Sequence, residues 1–228
     1  MDFKKLDDRA RVTGKTLLAT ISVMSDFGTL ASDVLREYGI DQIDENAEYS
    51  YELRSLMHHA LLIKYGQVAL KGLGFQASER GINLFQEVYK KRDEVEANFL
   101  SDNLELASKT FDELMRLWVD IADSWTKSSM ISTLSFGLTL EKKINFEYVV
   151  RTYHANKTYQ SSYLEGMCIF MLNKIFGKYW DLEFVKNEGA GFIDKGFPVE
   201  FYTAKFSKRA KAQSTEVLLL KQKSEFRE

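Results

Sequence analysis

The residue types that most often carry chemistry are scarce in this chain of 228 residues, which has three histidines and a single cysteine. Two of the histidines, His58 and His59, are adjacent in a segment with helical periodicity. Histidine ligands of a metal commonly lie three or four residues apart on one helix face, whereas adjacent side chains point in different directions. One of the pair could serve as an axial ligand of haem, but we expect partly buried or surface histidines here and no metal site.

Cys168 lies in the most apolar part of the sequence, and His154 precedes that part. His154 follows Tyr153 at the end of a predicted strand, so it is the best polar candidate for the mouth of a pocket. Cys168 lies mid-helix among apolar neighbours, where burial raises the pKa of a thiol and makes it unreactive. Glu165, an acid in the same helix, is expected to face outward. No spacing of serine, cysteine, histidine and acidic residues predicts a catalytic pair, so we do not expect an enzyme.

Two glycine motifs fail as phosphate-binding loops. The Gly-Lys-Thr sequence that begins at Gly14 matches the end of a nucleotide-binding loop, but Arg9 stands where that loop requires its first glycine. Gly72 and Gly74 follow a predicted helix rather than a strand, which excludes a dinucleotide-binding turn. The formal net charge of -2 also gives no reason to expect a nucleic-acid partner.

The elements that position these residues form a strand, a helix and two further strands. Alternating apolar and polar residues predict the strands in regions 142–154, 181–187 and 197–206, and Pro198 favours a strand start or an edge. A helix predicted at 161–176, ending at Gly177, is apolar on so wide an arc that it must lie against the sheet. The predicted fold class is therefore α+β, with a predominantly helical layer packed on a small antiparallel sheet of about three strands.

The predicted helix 161–176 supplies most of a predicted ligand pocket. It is rich in methionine and aromatic side chains, which adapt to a ligand more readily than a leucine core does. Two residues at the end of the preceding strand complete the set, so the predicted pocket residues are Tyr153, His154, Tyr163, Met167, Phe170 and Met171. These residues do not identify a cofactor.

The first 140 residues are predicted to be mainly helical, with helices at 15–24, 30–38, 50–73, 79–99 and 102–125. In the last of these, Asp102 is the expected N-cap, and the apolar residues are Ala107, Phe111, Leu114, Trp118, Ile121 and Trp125. Their seven-residue spacing could serve a coiled-coil partner, but it lasts under four heptads, so we expect a core-facing helix. Residues 1–12 are expected to fray, and 128–140 to be a connection.

The length fits one domain with a tail. The predicted boundaries are 1–140 for the helical part, 141–206 for the strand–helix–strand–strand part of the same domain, and 207–228 for a basic and apolar tail. The tail leucines are expected to dock on their own domain, with an anionic membrane or an acidic partner as the alternative. No apolar run approaches the roughly 20 residues of a transmembrane segment, and a cytoplasmic location is expected.

Several short patterns together resemble a known superfamily of ligand-binding domains. They cover most of residues 12–206 and include an early glycine, aromatic–glycine pairs that end helices, and a Tyr-Leu-Glu-Gly start to the apolar helix: Gly14, Tyr38-Gly39, Tyr65-Gly66, Tyr163 to Gly166 and Phe176-Gly177. The chain thereby resembles the superfamily that includes haem-NO-binding-like proteins, vinyl-reductase-type sensor domains of bacteria and Golgi transport-particle subunits.

This resemblance implies a small-molecule or lipid sensor domain, often a homodimer, with a hydrophobic pocket between the helices and the sheet and no reaction of its own. Cysteines common in the final strands of such sensors are missing, which argues against zinc. The tyrosine-serine-arginine element of haem-NO sensors has no counterpart, which argues against haem, and the cofactor stays unknown.

Two functions are favoured at this point, ahead of an unrecognised enzyme as a third. The first is a stand-alone small-molecule or lipid-binding sensor that acts through a protein partner or a dimer interface. The second is a structural or adaptor protein without a ligand, in a multi-subunit assembly, for which the heptad-like helix 102–125 and the apolar residues Val217 to Leu220 of the tail are the motivating features.

Overall fold

The computed structural model describes residues 6–7, 10–80, 86–101, 103–131, 138–143, 146–153, 161–194 and 197–226. Helices pack on an antiparallel sheet, so the predicted α+β class is confirmed. The helices of the described residues are α1 (Gly14–Met24), α2 (Leu30–Glu37), α3 (Tyr51–Arg80), α4 (Gln86–Leu100), α5 (Leu104–Ser129), α6 (Ser161–Phe176) and α7 (Thr215–Glu225). The strands are β1 (Arg11–Thr13), β2 (Glu48–Ser50), β3 (Met130–Ile131), β4 (Leu138–Lys142), β5 (Glu147–Tyr153), β6 (Trp180–Lys186), β7 (Phe192–Asp194) and β8 (Phe197–Lys208).

The main sheet has five strands in the order β4-β5-β8-β6, with β7 paired to β8. The three predicted strands correspond to β5, β6 and β8. Strand β4 lies partly in the region expected to be a connection, and the short β7 was also not predicted. Pro198 is the second residue of β8, opposite Ile193 of β7, which agrees with its predicted place at a strand start.

A smaller sheet joins distant parts of the chain in the order β2-β1-β3. Arg11 of β1 is opposite both Ser50 of β2 and Ile131 of β3. The prediction that residues 1–12 fray is therefore wrong for Ala10 to Val12, because Ala10 and Val12 are buried in the core.

Aromatic rings fill the interior between α5, α6 and the main sheet. The ring of Phe111 on α5 lies 4.5 to 6.2 Å from five other rings, measured between centroids: Phe146, Tyr148, Phe176, Trp180 and Phe206. Aromatic pairs at such distances each contribute about 0.5–1.5 kcal/mol beyond their burial. This aromatic cluster is the centre of the first of two core clusters.

Helix α5 is core-facing, as predicted. Ala107, Phe111, Leu114 and Trp118 are buried in the first core cluster, whereas the side chains of Ile121 and Trp125 lie outside the described part. The helix begins at Leu104, and the side chain of Asn103 caps it by accepting a hydrogen bond from the backbone N–H of Leu106 at 3.2 Å. Asp102, the predicted N-cap, is outside the described residues.

The second core cluster joins α1, α2 and β1 to both halves of α3 and to Tyr163 of α6. Helix α3 is interrupted at Gly66, whose φ of 83° and ψ of 179° lie in a region that essentially only glycine adopts. The predicted helix at 50–73 falls short of Arg80, whereas the break coincides with the Tyr65-Gly66 pair that the resemblance places at a helix end.

Helices α3 and α6 cross with their backbones in contact. A Cβ added to Gly74 of α3 would overlap the carbonyl oxygen of Tyr163, and a Cβ added to Gly166 of α6 would overlap the carbonyl oxygen of Lys71. Only glycine permits such an approach, so these two residues fix the distance between the helices. The crossing links the two core clusters and positions the polar residues described next.

Candidate ligand site between helices α3 and α6

Four polar residues lie on one face of the first half of α3. Tyr51, Arg54, Ser55 and His58 are three, four and seven residues apart, the spacing that aligns side chains along a helix. Tyr163, from the first turn of α6, joins them because of the close crossing at Gly74. These five residues form the polar cluster, and each of them is buried.

The guanidinium of Arg54 lies between two tyrosines. Its Nη1 donates to the hydroxyl of Tyr51 at 3.3 Å, and its Nη2 donates to the hydroxyl of Tyr163 at 3.0 Å. The residue is 9% exposed and its group is permanently charged. The polar cluster therefore places a positive charge inside the helical core, where a charge is costly unless it is compensated.

His58 is the second unusual member of the polar cluster. Its ring is stacked on that of Tyr163, with centroids 4.2 Å apart, and it is 2% exposed. Burial, and secondly the charge of Arg54, hold the pKa of His58 well below its usual value, so the imidazole is neutral. The prediction of a partly buried or surface histidine is wrong for His58, although His59 is half-buried.

Hydrogen-bonding capacity in the polar cluster is left unused. The Oγ of Ser55 and the Nε2 of His58 are buried without a hydrogen-bond partner. The hydroxyls of Tyr51 and Tyr163 accept from Arg54, and neither has an acceptor for its own proton among the described residues. Burial raises the pKa of Tyr51, which keeps its phenol protonated as a donor. A buried group without a partner costs about 1–3 kcal/mol, so this arrangement suits a ligand with acceptor atoms.

The predicted pocket residues do not converge on this site. Tyr163 belongs to the polar cluster, and Met167 is partly buried against the same core cluster. Phe170 and Met171 are buried in the first core cluster, on the sheet side. Tyr153 ends β5, where its backbone lies opposite Val199, and His154 is outside the described residues. The aromatic cluster occupies part of the space between the helices and the sheet, where the pocket was predicted.

Two expectations about α6 have opposite outcomes. Cys168 is a buried thiol as predicted, and burial, with a smaller contribution from Glu165, raises its pKa to about 12. Glu165 does not face outward into solvent, because its Oε1 accepts from the Nζ of Lys71 on α3 at 2.8 Å in a half-buried ion pair. This ion pair lies beside the glycine crossing and joins the same two helices.

Sequence reasoning missed four of the five polar-cluster residues. The signal is the helical spacing of Tyr51, Arg54, Ser55 and His58, whereas the predicted face of this helix consists mainly of apolar residues. Leu53, Met57 and Leu61 of the same helix are also buried, so the helix has core contacts on several sides. Polar residues at helical spacing within such a helix indicate an internal polar cluster.

No protein-family model matches the chain, and no curated protein matches it. Solved structures of H-NOX proteins do match. A mutant Cs H-NOX with an unnatural amino acid gives a TM-score of 0.60 at 12% identity, over 87% of this chain and 98% of the other. An H-NOX mutant from T. tengcongensis gives 0.58 at 12% identity, over 87% and 99%. An oxygen-binding H-NOX domain related to soluble guanylate cyclases gives 0.53 at 14% identity, over 86% and 95%.

At these identities the likeness establishes the fold, which is that of H-NOX domains. It agrees with the haem-NO-binding-like part of the resemblance seen in the sequence. The vinyl-reductase-type and Golgi transport-particle parts stay predictions. Among the described residues, no helix combines the length and apolarity needed to cross a membrane.

One matching H-NOX structure concerns haem distortion, which raises the question of whether the residues of this chain fit haem. Haem requires a flat apolar slot and an axial donor such as imidazole or thiolate. Cys168 stays a protonated thiol, and His58 lies beside the charged Arg54 and the ring of Tyr163 rather than in an apolar slot. The rings around Phe111 occupy the interior between α5, α6 and the sheet. The residues that the structure describes therefore do not fit haem.

Proposed function

We propose that this chain is a ligand-binding regulatory domain that recognises a small molecule through a carboxylate or a similar acceptor group. The observation that carries the proposal is the polar cluster at the crossing of α3 and α6. It presents the charge of Arg54, the hydroxyl protons of Tyr51 and Tyr163, and the unpartnered Ser55 and His58 to one buried place.

The donors of the polar cluster favour an acceptor group such as a carboxylate. Both tyrosine hydroxyls accept from Arg54, which leaves their own protons to donate to a ligand. A carboxylate would accept charge-assisted hydrogen bonds, which are about twice as strong as neutral ones. The methionines Met57 and Met167 belong to the surrounding core cluster, and their flexible thioethers suit the apolar body of a ligand. A hydrophobic molecule or lipid fragment with an acid group combines both features.

The proposed output is a change in contact with another protein, either a second copy of this chain or a different partner. Ile63, Tyr65 and Val68, on both sides of the Gly66 break, are exposed apolar side chains of the helix that carries the polar cluster, and Ile63 is 74% exposed. Exposed apolar groups of this kind occur at protein interfaces. An adaptor without a ligand would use the same surface, and the ligand test below separates the two functions. Neither function includes catalysis.

Thermal unfolding of the full chain with paired ligands tests the proposal. Butanoate, hexanoate, octanoate and decanoate are compared with the alcohols of equal length. We expect the carboxylates to raise the melting temperature and the alcohols to have no comparable effect, because a ligand that binds only the folded state stabilises it by mass action.

The double variant Tyr51→Phe with Tyr163→Phe keeps both rings and removes both hydroxyls. Each protein is compared with its own ligand-free melting temperature, and we expect the double variant to lose the carboxylate shift. Tyr65→Phe, on an exposed tyrosine of the same helix, is the matched control and keeps the shift. The absence of any carboxylate shift in the wild type, or an equal shift in the double variant, contradicts the proposal.

A further inference from the structure

Helix α7 covers a cavity that is separate from the polar cluster. It packs on α3 and α6 at two glycines. A Cβ at Gly177 would lie 2.7 Å from the Cδ2 of Leu218, and one at Gly72 would lie 2.9 Å from the Cβ of Phe226. The ring of Phe226 also lies 5.3 Å from that of Phe75 in the first core cluster.

A cavity of about 260 Å³ remains between α3, α6, α7 and strand β6. Its apolar wall consists of Ile169, Leu182, Phe184 and Phe226. Both the size and the apolar wall suit the body of a small organic molecule, because ligand sites are usually concave and largely apolar with a few polar groups.

The polar groups of this α7 cavity indicate which head group would bind. Lys71 is held by Glu165 at 2.8 Å, and the Nδ2 of Asn173 donates to the carbonyl oxygen of Ile169 at 2.9 Å, so these donors are engaged. The Oε1 of Gln222 is buried and has no hydrogen-bond partner. The carboxylate of Glu225 also lines the cavity and is on an exposed residue.

We infer that the α7 cavity is a binding site for a small amphiphile with an apolar body and a donor head, best a primary ammonium group. The head donates to the Oε1 of Gln222 and faces the negative charge of Glu225. The charge of Lys71 is offset by Glu165, so the lining favours a cation over an anion. This chemistry is opposite to that proposed for the polar cluster, and the two sites do not depend on each other.

Titration calorimetry of the full chain with hexylamine and 1-hexanol tests the inference, and we expect hexylamine to bind more tightly than hexanol. Hexanoate is titrated into the double variant Tyr51→Phe with Tyr163→Phe, in which the polar cluster no longer takes a carboxylate, and it should not bind. Gln222→Met keeps the length of the side chain and removes the acceptor, so it should weaken hexylamine binding about tenfold, the effect of one lost hydrogen bond of about 1.4 kcal/mol. Ile169→Trp should fill the cavity and abolish binding.

Leu220→Ala is the control on α7, because Leu220 is exposed and does not line the cavity. It should leave hexylamine binding unchanged, as should the double variant Tyr51→Phe with Tyr163→Phe. Gln222 lies on a half-exposed position of a surface helix, so its variant is expected to fold even where Ile169→Trp does not. No binding of hexylamine to the wild type, undiminished binding to Gln222→Met, or binding of hexanoate to the double variant as tight as that of hexylamine overturns the inference.

Discussion

At the α3–α6 crossing, burial and the charge of Arg54 hold the pKa of His58 well below 6.5. The unfolded chain takes up a proton on this histidine as the pH falls through 6.5, whereas the folded chain does not. The folded state therefore loses stability as the pH falls. From this one group we expect the free energy of unfolding to decrease by up to about 1.4 kcal/mol per pH unit below 6.5. Urea unfolding at a series of pH values between 7.5 and 5 measures the slope.

His58→Phe keeps a ring against Tyr163 and removes the titrating group. Its unfolding free energy should depend less steeply on pH than that of the wild type, whatever its stability at neutral pH. His59→Gln is the control, because His59 is half-buried and outside the polar cluster. Equal slopes in the wild type and His58→Phe would show that His58 is not the group that responds.

Single residues were predictable where one local pattern decides their environment. Cys168 is such a case, because its sequence neighbours are apolar and its helix is buried on a wide arc. The environment of Arg54 was not predictable, since its hydrogen-bond partner Tyr163 is 109 positions away in the sequence. Glu165 was misjudged for a similar reason, because Lys71 meets it only through the helix crossing.

At the scale of the elements, the crossing of α3 and α6 leaves no room for an added side chain at Gly74 or Gly166. Gly74→Ala places a methyl group on the carbonyl oxygen of Tyr163, a backbone atom that can move only with its helix. We expect the variant to lose about 3 kcal/mol of folding free energy, at the upper end of the cost of overpacking. Equilibrium denaturation with urea measures this loss.

Gly72→Ala, two positions earlier on the same helix, is the matched control. Its added methyl group meets the side chain of Phe226, which follows the last helix and can shift. It should therefore cost clearly less than Gly74→Ala. Helix propensity favours alanine equally at both positions, so equal losses in the two variants would show that the backbone contact with Tyr163 does not set the cost at Gly74.

The predicted bounds of α6 agree with the structure because a long apolar helix carries a strong periodic signal over all its turns. Strands β1, β3 and β7 have two or three residues, too few to show alternation. They are also stabilised by partners far away in the sequence, as where Arg11 meets Ile131. Such strands exist only because the folded chain brings their partners together, so no local pattern predicts them.

For the molecule as a whole, helix α7 makes the C-terminal segment part of the packed structure. Leu218 lies against Gly177, whereas Leu220 is 67% exposed. We expect Leu218→Ala to lower the free energy of unfolding by about 1 kcal/mol, since it removes part of a half-buried leucine, and Leu220→Ala to change it by less than about 0.5 kcal/mol. Thermal and urea unfolding of both variants make the comparison. A larger effect of Leu220→Ala would mean that α7 presents its other face to the domain.

The break at Gly66 has a further consequence for how the molecule moves. Because the backbone there is not helical, the amide groups before and after Gly66 belong to two separate hydrogen-bond ladders. The first ladder carries Tyr51, Arg54 and His58, and the second contains Gly74, the contact point with α6. Amide protons in the two halves of α3 can therefore exchange with solvent through separate local openings, each with its own free energy. A molecule held in the polar cluster would slow exchange in the first half directly, and in the second half only through the contact with α6.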